Sequence, residues 1–237
     1  MLIDQESKKI AISQSNYIPW KGYFDLISSV DEFVIYDDMQ YTRRDWRNRN
    51  YIKTPNGKNW LTVPVKIKGK FNQKICETEI DGQKWIKSHW MSLEKNYRRT
   101  PYYYEICALL EPIFFSQSHK FLSELNLSLI RKICSYLDIE TIITKSSDYD
   151  LTPERSERLA NICLQANAKM YVSGPSAKSY ISLNVFEKAG VEVNWFDYKG
   201  YPEYPQLWGK FAHDVSILDL LFNCGKSSSQ YMKFVNL

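Results

Sequence analysis

Residues Lys9 to Asn50, KIAISQSNYIPWKGYFDLISSVDEFVIYDDMQYTRRDWRNRN, constrain the fold more than any other part of the chain. Ile10 to Ser13 is an apolar run long enough for one buried strand. Polar residues lead to Pro19, after which Trp20, Tyr23, Phe24 and Ile27 recur at helical spacing. Phe33 to Tyr36 reads again as a strand. Strand, loop, helix, strand is the opening crossover of a parallel α/β sheet. Ligands of such sheets bind outside the carboxyl ends of the strands. Two segments meet that condition: Gln14 to Lys21 after the first strand and Asp37 to Asn50 after the second.

The second half repeats the rhythm. Glu140–Thr144, Lys169–Ser173 and Val191–Phe196 read as strands, separated by helical patterns from Thr152 to Gln165 and from Ser176 to Lys188, the latter broken near Asn184. The fold class is therefore α/β, a mostly parallel, Rossmann-like sheet with helices on both faces. Between the halves, Trp60–Val65 reads as an edge strand because of Pro64, and Lys74–Ile80 alternates as a half-buried strand does. Gln83–Arg99 carries an amphipathic helical pattern. Thr100-Pro101 stops it and opens the next, with Thr100 as cap, and Ser118–Leu137 forms a third. The expectation is a single α/β domain over 1–237 with a helical insertion around 83–137. Ser216 to Phe222 is a short apolar helix expected to pack on the sheet.

A net charge of +4 suits a phosphorylated small molecule better than a long nucleic acid, so no nucleic-acid partner is expected. The five cysteines are dispersed without a CxxC, which argues against a thiolate zinc site and for a reducing compartment. The N-terminal MLIDQESKKI has no apolar core, and no stretch is long and apolar enough to span a bilayer. A cytoplasmic location follows as the expectation. HxH, HExxH and comparable metal spacings are missing, so no metal is expected, and there is no Walker loop, GxGxxG or GxSxG either.

In the first loop, Gln14 and Asn16 supply donors and acceptors, Tyr17 and Trp20 supply stacking faces, and Lys21 lies where a helix N-terminus favours an anion. In the second, Asp37 and Asp38 suit a metal, sugar hydroxyls or base catalysis, and Arg47, Asn48 and Arg49 suit phosphate and carboxylate. Ser173 and Ser176 flank Gly174-Pro175 at a third strand end. His89 is the first candidate for a general base, although a lone histidine on a helix face more often packs in a core. His213-Asp214 are adjacent, and neighbouring side chains seldom orient one another. Tyr204, in an aromatic run with two prolines, is placed to wall a site. The expected arrangement is one cleft lined by Gln14, Asn16, Lys21, Asp38, Arg47, Ser173 and Ser176, floored by Tyr17 and Trp20 and closed by Tyr204.

SQSNYIPWKGYFDLISSVDEFVIYDDMQYTRRDWRNRNYI, WLTVPV, YVSGPSAKSYI and SILDLLFNCG together resemble the WbqC-like family of bacteria, over nearly the whole chain. That resemblance implies a role in O-antigen and lipopolysaccharide gene sets, in making or decorating a sugar. The implied partner is a nucleotide-linked sugar, with a carrier-bound activated acyl or aminoacyl donor. Amide formation on an amino sugar would use His89 or Asp38 as base, Lys21, Arg47 and Arg49 on phosphates, and Asn16 and Asn48 at the oxyanion. A metal-dependent glycosyltransferase using Asp37-Asp38 and a non-catalytic nucleotide-sugar-binding module are the alternatives. The opening also resembles that of nucleotidylyl transferases and pantothenate synthetase. Trp20-Lys21-Gly22-Tyr23 stands where those enzymes carry HxGH, and both histidines are missing.

Overall fold

The computed structural model describes residues 7–235; the first six residues of the N-terminal stretch read above lie outside these. Five strands, β1 (Lys9–Ser13), β2 (Glu32–Ile35), β5 (Ile142–Lys145), β6 (Met170–Ser173) and β7 (Glu192–Trp195), form an all-parallel sheet in the order β5-β2-β1-β6-β7. The period-2 alternation of a strand sends successive side chains to opposite faces. Thus Ala11, Phe33, Ile35 and Val172 enter one core, while Ile10, Ile12, Val34 and Tyr171 enter another. Helix α1 (Lys21–Ser28), the helices α2 (Lys84–Tyr97), α3 (Tyr103–Glu111) and α4 (Leu122–Tyr136), and α7 (Ile217–Cys224) belong to the first core. Helices α5 (Arg155–Gln165) and α6 (Leu183–Lys188) cover the opposite face.

The strand after the second loop is part of a hairpin, β3 (Arg49–Thr54) against β4 (Gly57–Thr62), turned at Pro55-Asn56 with Gly57 at φ 99°. Its first two residues, Arg49 and Asn50, were expected in the loop. Strand β4 ends before Pro64, and only Val65 pairs further, in an isolated bridge to Ile80. The stretch from Lys74 to Ile80 is not a strand. It closes into a 3₁₀ turn, Ile75–Glu77, because the Glu77 carboxylate returns to the Lys74 N–H at 2.9 Å and satisfies it locally. Thr100 does not cap α3: its hydroxyl donates to the Tyr97 carbonyl at 2.6 Å and finishes α2, while Tyr102 occupies the cap position. Helix α7 packs against α3 and the hairpin. The five cysteines are all free thiols.

Candidate functional site

The loops after β1 and β2 meet at the carboxyl edge of the sheet and are stitched together. The Tyr17 N–H donates to the Trp46 carbonyl at 3.0 Å. Arg47 donates to the Asn16 amide oxygen and, at 3.5 Å, to the Ser15 carbonyl. Asn50 Nδ2 donates to the carbonyls of Tyr17 (3.2 Å) and Ile18 (2.9 Å). Asn126, from α4, donates to Ser15 Oγ and to the Arg47 carbonyl. Ile18 sits at φ 37°, a left-handed conformation that a β-branched residue rarely adopts. Such strain costs on the order of 1–3 kcal/mol and persists only when the surroundings over-determine it. Here the buried Asn50 amide does so, gripping the carbonyls on both sides of the distorted bend.

These loops open a cavity of about 300 Å³ lined by Asn16, Pro19, Trp20, Trp46, Asn50, His213 and Asp214. Trp20 forms one wall, braced by Tyr198 and Tyr201 with ring centroids 5.5 Å away. It lies so close over α1 that a Cβ on Gly22 would occupy the space of its ring. Trp46, 41 % exposed, forms the other wall and packs against Trp60 of the hairpin. Asp214 is ion-paired with Lys58, and His213 lies edge-on to Phe211. Two indole rings, the Asn16 carboxamide, an imidazole and a carboxylate therefore line one concave space, with the Asn50 amide closing it through groups already committed to the backbone. Arg47 engages the Asn16 oxygen, which leaves the Asn16 amide nitrogen as the end able to donate.

A second cavity, of about 290 Å³, opens on the α5 side of the same loop and takes Gln14 together with Ser13, Tyr36, Arg155 and Tyr180. The single cleft expected from the sequence is thus two spaces, divided by the Gln14–Asn16 segment.

Several expected site residues serve the fold instead. Lys21 is buried; its ammonium donates to the Pro202 carbonyl at 2.9 Å and lies over the rings of Tyr201 and Tyr204. Burial pushes its pKa down to about 8, against the pull of nearby Asp25. His89 is locked in the core between Tyr17 and the Thr62 carbonyl, and burial lowers it to about 4, so it is not placed to act as a base. Tyr17 is fully buried beside it and floors nothing. Asp37 accepts from the Ser15 N–H at 2.8 Å and from the Ser123 hydroxyl. Asp38 points elsewhere, to Lys74 at 3.1 Å and Ser146 at 2.6 Å. The two carboxylates diverge in the turn that follows β2, each held by its own partners. Asn48 is buried and donates to Val63. Arg49 stacks on Trp60, 3.9 Å from its centroid. Ser173 is buried against Tyr171, Tyr204 is buried against Asp219, and Ser176 is exposed in the turn after β6, lining neither cavity.

His213, Asp214, Asn50 and Trp46 are the lining residues that spacing did not single out. His213 lies far along the chain from the first loop, and no local pattern announces a loop that returns across the sheet edge. Lys53 is the fastening: it donates to Gln206 and to the Lys210 carbonyl, anchoring the segment that carries His213. Among the described residues no group of three or more His, Cys, Asp or Glu side chains converges as a metal site would require, and no helix is long and apolar enough to cross a membrane.

The model of the WbqC-like protein family matches residues 14–231 of the chain. An uncharacterized protein of Mycobacterium tuberculosis is 57% identical over 227 residues, covering 96% of this chain and 98% of its own length. No solved structure matches the chain.

Proposed function

Because the chain belongs to the WbqC-like protein family, we propose that it takes a nucleotide-linked amino sugar destined for surface polysaccharide, such as O-antigen, and transfers an acyl or aminoacyl group to the sugar's amine. The observation that supports this reading is the cavity between Trp20 and Trp46. Indole faces shield the C–H faces of a sugar ring from water, while Asn16 and Asp214 offer the few placed polar groups that fix its hydroxyls. In the reaction the amine lone pair attacks the acyl carbon, the bond from that carbon to its carrier breaks with the carrier keeping the electron pair, and the amine proton goes to a base. His213 is the imidazole in the cavity and takes the role first assigned to His89. Asn16 Nδ2 donates to the oxygen that gains charge. The metal-dependent glycosyltransferase reading loses its motive, since Asp37 and Asp38 do not converge.

The test is mass spectrometry of UDP- and TDP-linked amino sugars incubated with the protein and a panel of acyl- and aminoacyl-carrier donors. An acyl mass gain on one sugar is expected, reduced by Trp20→Ala and Trp46→Ala through KM and by His213→Gln through kcat. Binding without turnover by any donor would make the protein a sugar-nucleotide-binding module. Loss of neither binding nor turnover in the tryptophan variants would remove the cavity from the account.

A further inference from the structure

The sheet order β5-β2-β1-β6-β7 places a topological switch between β1 and β6. From β1 the chain moves outward through β2 to β5, and from β6 it moves the other way to β7. Connections therefore leave these two neighbours on opposite faces and part at the carboxyl edge, which is where open α/β sheets bind ligands. The second cavity occupies that crevice. Ser13 and Gln14 come from the end of β1, Tyr36 follows β2, Arg155 is the first residue of α5, and Tyr180 closes the turn after β6.

Its chemistry is cationic, and of its three tyrosines only Tyr180 is exposed. The Arg155 guanidinium lies 4.9 Å from the centroid of the half-exposed Tyr180 ring. One helical turn on, Arg158 donates to the Tyr36 hydroxyl at 3.2 Å and to the carbonyls of Thr152 and Pro153. Among the described residues neither guanidinium has a carboxylate within ion-pairing distance. Glu154 is engaged in capping α5 at the Glu157 N–H, 3.0 Å away, and Asp38 is neutralised by Lys74. Arg158 supports the lining through Tyr36, and Arg155, which lines the crevice itself, brings positive charge that no carboxylate ion-pairs. Arginine's planar fork suits a phosphate there.

The two cavities are neighbours. Gln14 lines one and Asn16 the other, so two residue steps, roughly 7 Å of extended chain, separate their walls. Ser15 between them is buried and turned down toward Asp37 and Asn126. A diphosphate linkage with its sugar is longer than that step.

We propose that the crevice beside Arg155 and Tyr180 binds the nucleoside diphosphate half of a sugar nucleotide, which straddles the Gln14–Asn16 segment and lays its sugar between Trp20 and Trp46. The nucleotide site rests on the proposed function for the identity of the sugar, and on the crevice alone for the diphosphate. UDP, TDP and GDP, without sugar, are titrated calorimetrically against the full chain. At least one is expected to bind, weakened roughly tenfold or more by Arg155→Glu, as loss of a charge-assisted contact implies. Tyr180→Ala should weaken it too, and Trp46→Ala should leave it within about twofold. Both substituted side chains at the crevice are exposed, so melting temperatures should stay unchanged. Failure of all three nucleotides to bind, or binding indifferent to both crevice variants, overturns the inference. Arg155-dependent UDP binding without acylation of any amino sugar upholds it while the proposed reaction falls.

Discussion

The Tyr17 hydroxyl donates to Nδ1 of His89 across 2.9 Å, and Nε2 of the same ring donates to the Thr62 carbonyl at 3.1 Å. A carbonyl only accepts, so Nε2 carries the proton and the neutral ring accepts at Nδ1. The first loop, the hairpin and helix α2 are thereby joined through one imidazole that must remain uncharged.

That requirement makes stability depend on pH. Burial lowers His89 from its ordinary 6.5 to about 4. Between those values the unfolded chain binds the proton and the folded chain does not. The contribution is complete above pH 6.5 and is lost as pH falls toward 4. It should amount to about 2 kcal/mol between pH 7 and pH 5. Urea unfolding at both pH values checks this, with His89→Gln, whose amide can keep both hydrogen bonds, expected to lose that part of the dependence. Equal dependence in the variant would show that His89 is not held neutral.

Arg47 is expected to act by positioning Asn16 rather than by touching phosphate. Its side chain is only 13% exposed, and its guanidinium spans Asn16 and the Ser15 carbonyl. Arg47→Ala should lower stability by about 1–3 kcal/mol, the cost of leaving buried partners unpaired, and should weaken sugar-nucleotide binding as well. Arg47→Lys should not restore either, since an ammonium lacks the fork. Unchanged melting with unchanged affinity in Arg47→Ala would refute the positioning role.

Lys21 predicts an effect of the opposite range of pH. Its folded pKa, about 8, lies below its ordinary 10.5, so above pH 8 the unfolded chain holds this proton longer and the contribution of Lys21 to stability should rise with pH. The five cysteines, each raised from 9.0 by burial, titrate in the unfolded chain over the same range and act the other way. The Lys21 contribution is therefore read as the difference between wild type and Lys21→Met, which should grow in favour of the wild type between about pH 8 and pH 9.5. A difference that stays constant over that range would show that Lys21 does not titrate there.

Gly22 is expected to be indispensable for the Trp20 wall. Alanine improves helix propensity by about 1 kcal/mol, yet here its Cβ collides with the indole. Overpacking of this kind costs about 1–3 kcal/mol, and the displaced Trp20 should weaken binding of UDP-linked amino sugars. Gly22→Ala with full affinity would show that Trp20 does not shape the cavity.

The five strands and most helices were legible because their signals are local. Ile10–Ser13, Phe33–Tyr36 and Lys169–Ser173 alternate with helical patterns, and a parallel sheet with helices on both faces is the usual way to bury all of them. The fate of Lys74–Ile80 was not legible, because a Glu77 carboxylate returning to its own backbone competes with strand pairing and leaves the same alternation.

At the site, the sequence by itself determined that the loops after β1 and β2 share one edge and carry Asn16, Trp20 and Arg47. Which way each side chain turns was decided by the tertiary structure. Lys21 meets a carbonyl 181 residues away, and His89 meets Tyr17 at a separation of 72. The left-handed bend at Ile18 depends on Asn50, 32 residues on. A burial cost is known only when the distant partners are in place, so the same lysine or histidine reads as a ligand-binding group in the sequence and becomes a core residue in the fold. His213 enters the cavity for the same reason: its segment returns over the sheet edge because buried Lys53 offers it charge-assisted hydrogen bonds at Gln206 and Lys210, which no local pattern encodes.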